Sequence, residues 1–250
     1  MIEVTRNDGI VVLRIHHGKA NALDTELCTE LTNTLRDIGS SAKAVVLTGQ
    51  GKIFSAGVDL TRLLDGGAAY RSALVTALTD VLHALFFLPK PVISAINGHA
   101  IAGGCILASA ADYRILTTSA CRLGVPELRV GVPFPPIALE IMRFTTSPQY
   151  FRQLVFRGVT CTPEEALAWG LADELAADET VLDRSVVRAA ELASIPPQTF
   201  ELTKLQARQP VLKRLERAPM QQIATQVRAA WNLSEVISAV RMYVEKTLKK

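Results

Sequence analysis

The sequence predicts an α/β fold, an alternating core followed by a helical C-terminal region. Three observations carry that expectation. In the first half of the chain, short β-branched runs alternate with amphipathic helical stretches, the pattern of strands paired in parallel through helical crossovers. From about Pro136 onward the apolar residues fall at helical spacing instead. No short-period repeat or low-complexity linker interrupts the chain, so the expected division is a core over residues 1–190 and a helical region over 191–250.

The elements follow in order. Residues 1–4 and 10–15 are β-branched runs joined by R-N-D-G, a good hairpin turn. Leu23, Leu27, Leu31, Leu35 and Ile38 recur on one helical face, with Asp24 placed to cap the first amides. A-V-V-L at 44–47 reads as a buried strand, and I-F-S-A-G-V-D-L occupies 53–60, where Asp59 suits a helix cap. Residues 68–88 read as one long helix stopped by P-K-P, and 92–96 as the next buried strand. Residues 112–116 and 120–123 are further strands. T-P-E-E at 162–165 is a capping box with proline in the first turn, and Gly170 is its stop. Residues 179–195, 198–208 and 210–248 read as helices, with breaks at Pro196-Pro197 and at Pro210.

Composition narrows the function classes. The 250 residues carry 27 basic and 24 acidic side chains, a net charge of +3 that argues for neither nucleic acid nor a membrane surface. The 49% hydrophobic content allows a sizeable core. Cys28, Cys105, Cys121 and Cys161 form no C-x-x-C pair, and the four histidines form no H-x-x-x-H, so no metal is expected. No apolar run reaches membrane-spanning length and the start lacks a cationic leader. A soluble, cytoplasmic protein with reduced thiols is the expectation.

Residues 96–108, I-N-G-H-A-I-A-G-G-C-I-L-A, place Gly103 and Gly104 at the head of an apolar helix. Each glycine costs a helix about 1 kcal/mol relative to alanine, so the pair implies a close approach to backbone. A phosphate loop needs Lys and then Ser or Thr after the last glycine, where the chain has Gly104 and Cys105. A nucleophile elbow needs glycine where Ile53 stands, which disfavours Ser55 as a nucleophile. What remains is a strand-to-helix turn whose first amides lack internal partners and carry partial positive charge. A second such turn falls at Ser55-Ala56-Gly57. Together the two turns can form a two-donor oxyanion hole, and close packing of helix on sheet explains the same glycines.

F-S-A-G-V-D-L at 54–60, I-S-A-I-N-G-H-A-I-A-G-G-C-I-L-A-S-A-A-D at 93–112, L-G-V-P-E-L-R-V-G-V-P at 123–133 and T-P-E-E-A-L-A-W-G-L-A-D-E at 162–174 resemble the crotonase (enoyl-CoA hydratase/isomerase) superfamily. The resemblance spans roughly residues 1–180. It implies a spiral core of ββα units and homotrimers or dimers of trimers, with the C-terminal helices packing on the core and on neighbouring subunits. It also implies an acyl-CoA thioester substrate in fatty acid metabolism, with no cofactor beyond the coenzyme A of the substrate itself. Carried over residue by residue, the oxyanion donors are the backbone N–H groups of Ala56 and Gly103, with Gly104 allowing close packing behind and Cys105 beneath the turn.

The resemblance also implies a base. Hydratases of the family use two glutamates, one directly after G-G-C and one in the later P-E segment. Glu127 matches the second, but Ile106 stands at the first. One carboxylate suffices to move a proton from C2 to C4 of an enoyl thioester, so the isomerase branch is expected, with Glu127 as the sole proton shuttle. Ile106, Leu128 and Val132 are the expected substrate pocket, whose apolar surroundings raise the Glu127 pKa. Coenzyme A contacts fall on Lys19, Ala20, Ala22, Ser55, Asp59 and Leu60, although G-K-A-N-A-L at 18–23 is shorter than the family segment and lacks its proline. Arg241, Lys246, Lys249 and Lys250 stand as either phosphate contacts or a solvated helix end. Glu140 is expected on a helix surface, or as a second acid if residues 134–143 fold inward. His99 is a structural turn residue or a ligand contact. Hydratase activity with Glu127 acting alone on water, other thioester chemistry such as hydrolysis or decarboxylation, and a non-catalytic acyl-CoA-binding homologue remain as alternatives.

Overall fold

Asp8 and Gly9 both take left-handed φ angles, 50° and 84°, and close β1 (Ile2–Asn7) and β2 (Ile10–Ile15) into a two-residue hairpin. The structure is a computed structural model and describes residues 1–38 and 42–247. Lys249 and Lys250 lie outside the described residues. After the hairpin come α1 (Thr25–Asp37), β3 (Ala44–Gly49), β4 (Ile53–Ser55), α2 (Leu60–Asp65) and α3 (Gly67–Phe86). The Asp24 carboxylate caps α1 by accepting from Leu27 N, as its position predicts. The expected 68–88 helix is α3, set off from α2 by the left-handed Gly67.

Then follow β5 (Val92–Ile96), β6 (His99–Ile101), α4 (Gly103–Ser109), β7 (Tyr113–Thr117), β8 (Leu123–Gly124) and the one-turn α5 (Glu127–Val130). The strand expected at 120–123 is confined to Leu123–Gly124. The second half supplies α6 (Pro136–Thr145), α7 (Pro148–Arg157), β9 (Thr160–Cys161), α8 (Pro163–Trp169), β10 (Glu174–Ala176) and α9 (Val181–Ala193). The Thr162–Glu165 capping box and the left-handed Gly170 bound α8.

From β3 to β8 successive strands alternate between two sheets. One has the order β1-β2-β3-β5-β7-β10, parallel from β2 onward, and the other β4-β6-β8-β9. The chain therefore repeats strand, strand, helix three times, as β3-β4-α2, β5-β6-α4 and β7-β8-α5. Each return from the first sheet to the second ends at a strand-to-helix turn beside its predecessor, so turns distant in sequence meet in space. Strand β3 is buried at every position: Val45 and Leu47 face the main core, and Ala44 and Val46 pack under α9. This is the two-sided burial of an interior parallel strand.

The chain ends in α10 (Pro197–Glu216), α11 (Ala218–Ala230) and α12 (Ser234–Thr247). Pro210 does not break the helix; α10 runs through it and ends at Arg217, before Pro219. Packing on both sides of the proline outweighs its missing N–H. Lys204 and Arg208 reach the Asp112 carboxylate at 2.7 and 2.6 Å, and Val211 is buried one residue beyond the proline. Among the described residues no helix is long and apolar enough to cross a membrane.

Candidate active site

Strand β4 ends against the loop that precedes α1, and side chains fix the contact. Asn21 donates to Ile53 O at 2.8 Å, and the Ser55 hydroxyl donates to Asn21 O at 2.7 Å and accepts from Gly57 N at 3.2 Å. Beyond it, Gly57 O accepts from Leu23 N and Asp59 N donates to Leu23 O, at 2.8 and 3.0 Å. This single parallel bridge turns the Val58 N–H away from Leu23. Among the described residues that N–H has no partner.

The second turn lies directly across. Gly57 sits at φ 83°, and a Cβ on it would stand 2.7 Å from Ile101 O. Ala102, at φ 53° and ψ −129°, holds a conformation costly for a residue with a side chain and aims the head of α4. Gly103 opens that helix, and its N–H also lacks a partner. A Cβ on Gly103 would stand 4.0 Å from Val58 N, so the missing side chain leaves the gap between the two amides clear. Gly104 serves packing instead, because a Cβ there would meet Ser55 O at 2.2 Å.

The pairing expected from sequence needs one correction. Ala56 N donates to Ala20 O at 3.0 Å and is already engaged. The free amide facing Gly103 belongs to Val58, two residues on.

These amides open into a cavity of about 510 Å³. Glu127 lines it from the first position of α5, its carbonyl accepting from Gly131 N and Val132 N at 2.8 and 3.0 Å. Its side chain is buried and its Oε2 has no hydrogen-bond partner among the described residues. Burial pushes the carboxyl up to about 8, slightly opposed by a backbone hydrogen bond. Ile106 and Val132 line the same space, as does Val130. Leu128 does not; as the next residue along the one-turn helix it is turned away from the face that carries Glu127 into the cavity, and it is 47% exposed.

Lys19, Ala20, Ala22, Asp59 and Leu60 all border the cavity. Ser55 does not, since its hydroxyl is wholly buried in the contact with Asn21. The Asp59 carboxylate caps α2 by accepting from Arg62 N at 2.9 Å, which leaves Glu127 as the lining carboxylate with an unpaired buried oxygen. At the mouth, His17 Nε2 lies 2.7 Å from Asp24 Oδ2, and Arg62 bridges Asp24 and Glu26. Among the described residues no three His, Cys, Asp or Glu side chains group to hold a metal ion.

Glu140 is buried rather than on the surface, yet it stays out of the cavity and pairs with Arg214 at 2.7 Å. His99 accepts from Arg122 N through Nδ1 and lies outside the lining. Cys105 is buried, and burial pushes its thiol up. Arg241 and Lys246 are exposed and do not line the cavity. Sequence reasoning missed several lining residues, among them Leu78, Leu82, Trp231 and Tyr243. The i, i+4 spacing of the two leucines marks a shared face of α3, but nothing in the C-terminal sequence signals Trp231 or Tyr243.

Two unpaired amides that line one cavity can hold developing negative charge on an oxygen, and a buried carboxyl in the same lining can give or take a proton. Comparison with known proteins bears on which molecule brings that oxygen. Residues 5–249 match the family model described as enoyl-CoA hydratase/isomerase. The chain is 33% identical over 211 residues to a putative enoyl-CoA hydratase of Thermus thermophilus, covering 82% of each. It is 29% identical to human mitochondrial enoyl-CoA delta isomerase 1, covering 86% of this chain and 72% of that one. The crystal structure of human mitochondrial delta3-delta2-enoyl-CoA isomerase superposes with a TM-score of 0.93 at 26% identity, covering 99% of this chain and 98% of that one.

Proposed function

The chain belongs to the enoyl-CoA hydratase/isomerase family, and from that premise we propose that it moves the double bond of a 3-enoyl-CoA to the trans-2 position. The Val58 and Gly103 amides hold the thioester oxygen. Glu127, as carboxylate, takes a proton from C2; the electron pair spreads into a dienolate with its charge on that oxygen. The resulting carboxylic acid returns the proton at C4 as the double bond forms between C2 and C3. No atom is gained or lost, and no cofactor beyond the coenzyme A of the substrate is called for. The loss of one such amide costs about 3–4 kcal/mol in comparable sites.

The observation that carries this reading is the inventory of acids: one lining carboxylate has an unpaired buried oxygen, and Ile106 offers hydrocarbon beside it. Addition of water calls for proton movements at two centres, whereas isomerisation needs one base that works twice. Lys19 at the cavity border is the proposed partner for coenzyme A phosphate, and assembly as a homotrimer or dimer of trimers belongs to the same proposal. Hydration of a 2-enoyl-CoA is the second reading, supported by the name of the Thermus relative.

Absorbance of the conjugated thioester separates the two. Given a 3-enoyl-CoA, an isomerase makes the signal appear; given a 2-enoyl-CoA, a hydratase makes it fade. Glu127→Gln is expected to lower turnover by about 10²–10⁴-fold while acyl-CoA binding persists. Full turnover in that variant removes Glu127 as the base.

A further inference from the structure

Trp231 is buried and borders the cavity, although it lies in the short link between α11 and α12. Its indole Nε1–H donates to Pro133 O at 3.1 Å, and Pro133 is itself part of the lining. The next residue, Asn232, accepts from the buried Arg71 Nε at 2.9 Å and donates to Ser72 Oγ at 3.3 Å. The link is therefore latched to α3 on one side and to the loop before α6 on the other.

The lining sorts by chemistry. His17, Lys19, Asp59 and Thr61 are polar and suit the coenzyme portion of a thioester, while Leu78, Leu82, Val132, Ala138 and Trp231 offer apolar surface to its tail. We infer that Trp231 is the end wall of the acyl subsite and that the Arg71–Asn232 pair is the positioning element that holds it there. The assignment rests on the acyl-CoA function proposed above and deepens it by naming what limits the substrate: enoyl thioesters whose tails end at the indole. Each methylene buried before the wall tightens binding about fourfold. A methylene beyond it must displace an indole fixed by its own hydrogen bond and by that of its neighbour.

Saturated acyl-CoAs from butyryl to palmitoyl test this by titration calorimetry without turnover. In the unaltered protein the affinity is expected to climb with length, then break. Trp231→Ala moves the break to longer chains, with the climb of about fourfold per methylene continuing past the old limit. Trp231→Phe leaves the break near its original place. Asn232→Ala blurs the break while butyryl-CoA binds as before, and Asn232→Asp, which keeps an acceptor for Arg71, restores it.

A second measurement does not depend on the alanine variant folding. Trp169 stacks on Tyr150 away from the cavity, so Trp169→Phe leaves Trp231 as the sole tryptophan. Its emission is expected to shift with chains long enough to reach the wall and not with coenzyme A alone. The same break in Trp231→Ala as in the parent, or an emission that no chain length changes, overturns the end wall while leaving the functional reading intact. Failure of every acyl-CoA to bind overturns both.

Discussion

Glu127 owes its charge state to neighbours that offer hydrocarbon and no donor. With the folded carboxyl pushed up to about 8, the form able to take a proton is a minority at neutral pH. The proposed isomerase rate, as kcat/KM, is therefore expected to rise about tenfold per pH unit below 8 and level off above it, checked by a pH profile of the conjugation assay. Stability runs the other way. Between the ordinary carboxyl value of 4.5 and about 8 the native chain keeps a proton that the unfolded chain has released, so stability falls as pH rises through that window. Glu127→Gln has no such fall and is expected to unfold on the order of 2–5 kcal/mol later than the parent at pH 9, with the difference closing toward pH 4 in urea titrations. The place of Glu127 was legible from its P-E motif, as was the hydrocarbon at Ile106. The errors at Ala56 and Ser55 share one cause. A motif places residues on a turn, whereas the bonds to Ala20 and Asn21 decide which N–H and which side chain face the cavity, and those partners come from a different strand-to-helix junction.

Helix α10 shows the same limit one level up. Its sequence forecasts a stop at Pro210, because propensity counts the absent N–H and cannot count what the helix lands on. It lands on Asp112, whose carboxylate accepts from Val92 N at 2.8 Å, from Lys204 Nζ and from Arg208, while Arg208 also donates to Phe86 O and stacks over the Phe86 ring. Burial holds Lys204 down at about 8, with the neighbouring Asp112 opposing. Asp112→Asn keeps the shape but strands two buried cations, and is expected to cost about 3–5 kcal/mol, read as a lowered urea midpoint. Pro210→Ala is expected to do the opposite. Pro210 is exposed, and an N–H at that position restores the helical bond toward Gln206 O, so the same titration should show a gain of about 1 kcal/mol or more. A proline that proved neutral there would mean the helix is already distorted enough to have no acceptor waiting.

At the scale of the whole molecule, the cavity draws on segments from both ends of the chain: the loop before α1, the turns before α2 and α4, the α5 region, and then Trp231 and Tyr243. The first four were legible because each is a strand-to-helix turn carrying a motif. The last two were not, since an amphipathic helix announces that it packs but not on what. The division into a core and a C-terminal helical region thus describes composition better than it describes the site, whose lining takes in Trp231 and Tyr243 from that region. That dependence is measurable by amide hydrogen exchange. Acyl-CoA held at about 100 times its dissociation constant stabilises the bound form by about 2.7 kcal/mol, enough to slow exchange about 100-fold wherever opening requires release of the ligand. Residues 101–106 must share that protection if the turn amides hold the thioester. The decisive region is 218–247: protection there matching that of the turns is expected from the contacts of Trp231 and Tyr243, whereas exchange unchanged by ligand would mean that these helices open independently of the site they border.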